Sequence, residues 1–317
     1  MNFVGGSGES ACQSVSVVVP VFNGAGSIAI LLERLMPILD AYRPEVEVIL
    51  VNDASTDNSS EVISRLVTAY PDVRGIDLMR NYGQHNALLC GIRAAQFDII
   101  VTLDDDLEHP PEEIPRLIAA LEEGVDVVYG RPIREQHGLF RNLASRVTKL
   151  ALATSMGVDV AKEVSAFRVF RTQVRDSFAQ YHGPFVSIDV LLTWGTTRFS
   201  AIKVQHDARS IGESNYTLRR LLTHALNMAT GFSVIPLQVA SILGLVSAVF
   251  GMILLLYVVG RYVVLGGTVP GFPFLASIIS LFAGVQLIAL GVIGEYLARM
   301  HFRLMDRPAY VARQDSG

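Results

Sequence analysis

An α/β domain built on a mostly parallel sheet, followed by two membrane-crossing helices, is predicted by three observations. Short β-branched runs alternate with amphipathic stretches through the first 130 residues, the pattern of strand–helix–strand units. The chain has 26 basic and 30 acidic residues, yet only eight of them lie beyond Arg220. Residues 221–260 hold no Asp, Glu, Lys or Arg.

The elements follow in order. Residues 1–13 are Gly- and Ser-rich and read as a flexible tail, without the apolar core of a signal peptide. Residues 15–20 and 46–51 are continuous apolar runs, each a buried strand. Helices are predicted over 27–39, 59–69, 84–95 and 112–122, and strands over 73–78, 99–103 and 125–129. These belong to a soluble domain spanning 14–213. An amphipathic juxtamembrane segment is expected over 214–236, two transmembrane helices within 237–298, and a cytoplasmic tail over 299–317. Residues 237–260 and 274–298 each exceed the about 20 apolar residues that cross a bilayer. The Gly- and Pro-rich stretch between them is turn chemistry. A second amphipathic stretch, 141–153, is expected to lie on the membrane surface.

The composition restricts function. A net charge of −4 weighs against a general nucleic-acid binder. Two cysteines make no disulfide framework and suit a reducing compartment. Arg219, Arg220, Arg299, Arg303, Arg307 and Arg313 flank the spans on one side, and Arg261 alone lies between them. The positive-inside rule therefore puts the soluble domain and both termini in the cytoplasm, as an integral inner-membrane protein. Two thin spans invite self-association, so a homo-oligomer is expected.

Ligands of open α/β sheets bind beyond the carboxyl ends of the strands. Two such ends are rich in polar groups: Asn52-Asp53-Ala54-Ser55-Thr56-Asp57 and Asp104-Asp105-Asp106-Leu107-Glu108. Alternation along an extended segment puts Asp104, Asp106 and Glu108 on one face. Close carboxylates repel unless a cation joins them, and hard oxygen ligands suit Mg2+ or Mn2+. Such an ion serves a diphosphate leaving group, as in a nucleotide sugar. Asp53 is placed to accept hydrogen bonds from a base or ribose, or else to cap the turn with Ser55 and Asp57.

These segments, with Val17-Val18-Val19-Pro20-Val21-Phe22-Asn23, Arg80-Asn81-Tyr82-Gly83-Gln84-His85, Gly212-Glu213-Ser214-Asn215-Tyr216 and Gly294-Glu295-Tyr296, resemble family 2 glycosyltransferases of the GT-A fold. With the paired spans, the chain is similar to the polyprenyl-phosphate glycosyltransferases of that family over about residues 14–310. The resemblance implies inverting transfer of a sugar from a nucleotide-diphosphate sugar, expected to be UDP-linked, to a lipid such as undecaprenyl phosphate. It implies that Pro20, Phe22, Asn23, Asp53, Asp104, Arg209 and Ser214 bind the donor. Asp104, Asp106 and Glu108 would hold the metal. Asp106, Asp105 and Arg168 would act in catalysis, with Arg131 and Arg168 near the phosphates. Ala166 stands where several relatives carry an Asp before Phe-Arg, with Asp105, Asp159 or Glu163 as alternative bases.

A lipid phosphate monoester, with a second pKa of about 6, is largely dianionic at neutral pH and needs positioning more than deprotonation. Arg131, Arg134, Arg141 and Arg146 form the candidate acceptor-phosphate cluster. The alternatives are a membrane-anchored glycosyltransferase with a polysaccharide or glycolipid acceptor, and a non-catalytic nucleotide-binding membrane scaffold.

Overall fold

The computed structural model describes residues 14–42, 45–121, 124–133, 164–183, 186–205, 235–265, 271–305 and 307–316. In the N-terminal half the elements are β1 (Val15–Val21), α1 (Ile28–Leu39), β2 (Val46–Asn52), α2 (Ser59–Ala69), β3 (Val73–Leu78), α3 (Gln84–Ala94), β4 (Ile99–Thr102), α4 (Ile114–Ala119) and β5 (Val127–Pro132). Then come β6 (Arg168–Arg171), α5 (Ile188–Gly195), β7 (Phe199–Val204), α6 (Ile235–Leu265), α7 (Phe272–Leu304) and β8 (Ala312–Ser316).

The strands form one sheet of order β7-β5-β6-β4-β1-β2-β3-β8. The pairs β1–β2, β1–β4, β2–β3 and β5–β7 are parallel, while β6 runs antiparallel to β4 and β5, and β8 antiparallel to β3. β1 and β2 are buried along their whole length, which is why they read as unbroken apolar runs.

Strand alternation divides the core into two layers. Val15, Val17 and Val19 face α1 and α4, joining Leu31, Leu35, Ile114 and Leu117. Val18 faces the other way with Ile49 and Val51, toward Leu88, Leu89 and Ile92 of α3 and Leu191 of α5. α3 lies close to the sheet because Gly91 has no side chain: a Cβ there would stand 2.3 Å from Val18 Cγ1.

The helix expected over 112–122 is shorter. A 3-10 turn at Pro111–Glu113 leads into α4, which ends at Ala119. The strands β6 to β8 and helix α5 have no counterpart in the sequence reading.

The windows Leu237–Val264 and Leu281–His301 have mean hydropathies of 2.7 and 1.7, and among their described residues only Ala240 and Arg299 are buried within the protein. Apolar surface of that extent suits lipid. Phe282 packs on Gly251, where a Cβ would lie 2.9 Å from Phe282 Cζ. Arg299 is buried and donates to Glu295 Oε1 at 2.7 Å, a local i,i+4 pair. α7 runs on to Leu304, and residues 312–316, read from the sequence as tail, form the edge strand β8.

Candidate active site

A cleft of about 230 Å3 opens at the carboxyl ends of β1, β2 and β4, lined by Pro20, Val21, Phe22, Asp53, Asn81, Gly83, Gln84 and Asp104–Asp106. Pro20, Phe22, Asp53 and Asp104, expected at the donor, are brought together there, with Asp105 and Asp106.

Three loops build it. In the first, Asn23 has φ +56°, a left-handed turn that Asn tolerates. Its Oδ1 accepts from the Thr56 amide at 2.8 Å and the Thr56 hydroxyl at 3.1 Å, and its own N–H donates to Ser55 Oγ at 3.0 Å. Asn23 therefore clamps the β1 and β2 loops together and is not among the residues lining the cleft. Phe22, next to it, is left half-exposed at the rim.

In the second loop, Asp53 is buried at 2% exposure. It caps neither Ser55 nor Asp57: the Tyr82 and Gly83 amides donate to its two oxygens at 2.7 and 2.8 Å. Gly83 has φ +95°, which only glycine adopts without strain and which aims both amides at one carboxylate. Burial raises the Asp53 pKa, and the two amides partly offset it.

The third loop is the acidic one. β4 ends at Thr102, and Leu107 has φ +62°. The alternation argument therefore does not apply to 104–108; a turn, not a strand face, gathers Asp104, Asp105 and Asp106 on the cleft. Glu108 is not among the lining residues. Its amide donates to Asp106 Oδ1 at 3.1 Å. Among the described residues no group of three His, Cys, Asp or Glu converges as metal ligands. Glu108 thus does not complete a three-carboxylate set. A pair of carboxylates with open positions remains, as Mg2+-type ions use when phosphate oxygens supply the rest.

Asp104 tests whether a cation fits. Burial, then the charge of Asp106, raises its pKa to about 6, against the pull of Arg168 and of Gln84, whose Nε2 donates to Asp104 Oδ1 at 2.6 Å. The pair is short of positive charge, which a divalent ion supplies. A carboxyl raised from 3.8 to about 6 binds its proton more tightly when folded, so metal-free protein loses stability as pH rises through that window. Thermal unfolding is expected to show Mn2+ stabilising the protein more at pH 7 than at pH 5; equal stabilisation at both would contradict this.

Asp105 is seated over Gly24: a Cβ at residue 24 would lie 2.0 Å from Asp105 Oδ2. Gly24→Ala is expected to swing that carboxylate aside, lowering kcat/KM about tenfold (about 1.4 kcal/mol) with little change in melting temperature. Unchanged kinetics would show that the seat does not matter.

Arg168, expected near the donor phosphates, is 2% exposed and absent from the cleft wall. The antiparallel register sets it opposite Thr102, where it pairs with Asp189 of α5. Tyr129 Oη donates to the same carboxylate at 3.2 Å. Arg168 acts on Asp104 through its field, from behind the wall. Arg131 lies on β5, opposite Lys203 of β7, away from the cleft lining. Arg134, Arg141, Arg146, Asp159, Glu163, Arg209 and Ser214 lie outside the described residues.

Asn81, Gly83 and Gln84 belong to the site, although the sequence reading gave them no role. Their segment, Arg80–His85, carried the only signal. Asp189 and Tyr129 gave none, since their partner is found only through the sheet.

The profile of the family "Glycosyl transferase family 2" matches residues 16–179. An undecaprenyl-phosphate 4-deoxy-4-formamido-L-arabinose transferase of Proteus mirabilis is 34% identical, over 96% of this chain and 94% of its own. Its namesake in Shewanella sediminis is 35% identical over 93% and 90%. Among solved structures, glucosyl-3-phosphoglycerate synthase from Mycobacterium tuberculosis, in complex with Mn2+, UDP and phosphoglyceric acid, superposes with a TM-score of 0.53 at 20% identity, over 69% of this chain and 76% of that one. That likeness is one of fold.

Proposed function

The chain belongs to glycosyl transferase family 2, and we propose that it moves a sugar from a UDP-linked donor to a polyprenyl phosphate at the cytoplasmic membrane face. The observation that carries this reading is the charge-starved Asp104–Asp106 pair at the strand ends, on a chain with two apolar helices. The relatives named for transfer to undecaprenyl phosphate support the acceptor. The Mn2+ and UDP of the structural neighbour support the donor side.

Asp104 and Asp106 hold Mg2+ or Mn2+ in this reading, and the ion, when bound, neutralises charge developing on the departing diphosphate. Phe22 and Pro20 cover the base, and Asp53, already fixed by two amides, presents its remaining lone pairs to base or ribose. Gln84 keeps Asp104 oriented. The lipid phosphate oxygen bonds to the anomeric carbon as the bond from that carbon to the diphosphate breaks. The configuration inverts and the nucleoside diphosphate leaves. The lipid phosphate is already anionic, so Ala166 in place of a base is tolerable; Arg131, Arg134, Arg141 and Arg146 guide it past the acidic cluster. Orientation with both termini inside, and self-association through the spans, belong to the same proposal.

The test is incubation of the full-length enzyme in detergent with undecaprenyl phosphate, Mn2+ or Mg2+ and a panel of nucleotide sugars. A nucleotide-linked 4-deoxy-4-formamido-L-arabinose is the first donor to try. Mass spectrometry is expected to find a glycosyl-phosphoryl lipid. Donor binding without any lipid product would favour the scaffold reading instead.

A further inference from the structure

The residues that follow the second membrane helix return to the catalytic sheet, meet it near the start of α3 and then run along β3 away from its carboxyl end. α7 stops at Leu304, and Ala309 is only five residues on, at most ~18 Å of chain. Ala309 is buried at 3% exposure and its carbonyl accepts from Asn86 Nδ2 at 2.8 Å. Tyr310 is half-buried under the Arg93 guanidinium, 5.8 Å from its ring centre. Val311 O accepts from the Met79 amide at 2.9 Å, and β8 then pairs with β3. This strap touches both ends of the β3–α3 connection.

That connection is also the back wall of the cleft. Within five residues, Tyr82 and Gly83 hold Asp53, Gln84 holds Asp104, His85 Nδ1 accepts from the Ile188 amide at 3.4 Å, and Asn86 holds the strap. Asn86 is buried, and its own N–H donates back to Gly83 O at 2.9 Å. One helical turn thus joins the membrane helix exit to the two carboxylates of the donor cleft.

We propose that Asn86 is a positioning residue through which the docked strap, Ala309–Ser316, holds the first turn of α3 and so sets the donor cleft for Asp53 and Asp104. The inference rests on the reading of that cleft as the site of a metal-bound nucleoside diphosphate. The membrane hairpin is then more than an anchor: where α7 leaves the bilayer fixes a strand that the donor site leans on. A donor site assembled only when the strap is docked would keep sugar from being bound by chains whose membrane segment is misplaced.

The experiment measures binding of UDP with Mn2+ by calorimetry on the full-length protein in detergent, together with KM and kcat for transfer and the melting temperature. The variants are Asn86→Ala and a chain ending at Pro308, which removes the strap and keeps Asn86. Both are expected to weaken UDP binding, and raise donor KM, about fivefold to tenfold, the change that loss of one well-placed buried hydrogen bond carries. The KM for the lipid is expected to stay unchanged. A lowered melting temperature with unaltered UDP binding would make the strap merely structural and overturn the proposal, as would normal binding in both variants. Should Asn86→Ala fail to fold, the shortened chain decides between the same outcomes. Wild-type protein that binds no UDP in the presence of Mn2+ would instead overturn the donor reading itself, and this inference with it.

Discussion

Asp106→Asn is expected to lower sugar transfer about 10²- to 10³-fold, the range seen when a group that stabilises developing charge is removed. The substitution keeps the shape of the side chain and one oxygen for the Glu108 amide, which donates to Asp106 Oδ1. What it removes is a negative charge facing Asp104, the second-largest cause of the raised Asp104 pKa. Asp104 should then ionise more readily. The lost activity would therefore reflect a missing cation ligand and not a more strongly protonated neighbour. Higher Mn2+ should recover part of the rate if the defect is in affinity. The measurement is kcat/KM for the nucleotide sugar across a Mn2+ titration. Undiminished transfer would remove Asp106 from the site.

Arg168→Leu is expected to destabilise the protein by about 3–5 kcal/mol, the penalty for leaving one half of a buried ion pair uncompensated. Arg168 is 2% exposed and Asp189 6%, and Tyr129 Oη shares the same carboxylate. Asp189→Leu should be comparably damaging, and the double variant should recover much of the loss, since it removes both charges together. Chemical denaturation of the four proteins measures this. Additive losses in the double variant would mean that the pair does not act as a unit. The double variant also separates stability from chemistry: Arg168 is one of the influences that lower the Asp104 pKa, so a refolded double variant should need a higher pH for full cation affinity.

Much of this was legible in the sequence because the informative residues are local. The fully buried β1 and β2 are unbroken apolar runs, α2 and β3 have the limits their periodicity indicates, and the acidic end of β4 is a contiguous string of aspartates. What was not legible depends on contacts distant along the chain. β6 is four residues long and earns its place only by lying between β4 and β5. Asp189 has meaning only opposite Arg168, and β8 only against β3. The alternation argument singled out Asp104 and Asp106, which do lie together on the cleft, but by a geometry the chain does not have there. The strand had already ended, Leu107 has a positive φ, and Glu108 is not among the lining residues. Asn23, next to the cleft residue Phe22, has a side-chain oxygen that accepts from Thr56, a contact between two loops distant along the chain.

The most direct test of the account is the location of the cation. Anomalous diffraction from crystals of the full-length enzyme grown with Mn2+ and UDP should give a single strong peak in the cleft, beside the Asp104 and Asp106 carboxylates that would hold the ion. UDP held in the cleft with manganese elsewhere, or with none bound, would contradict it.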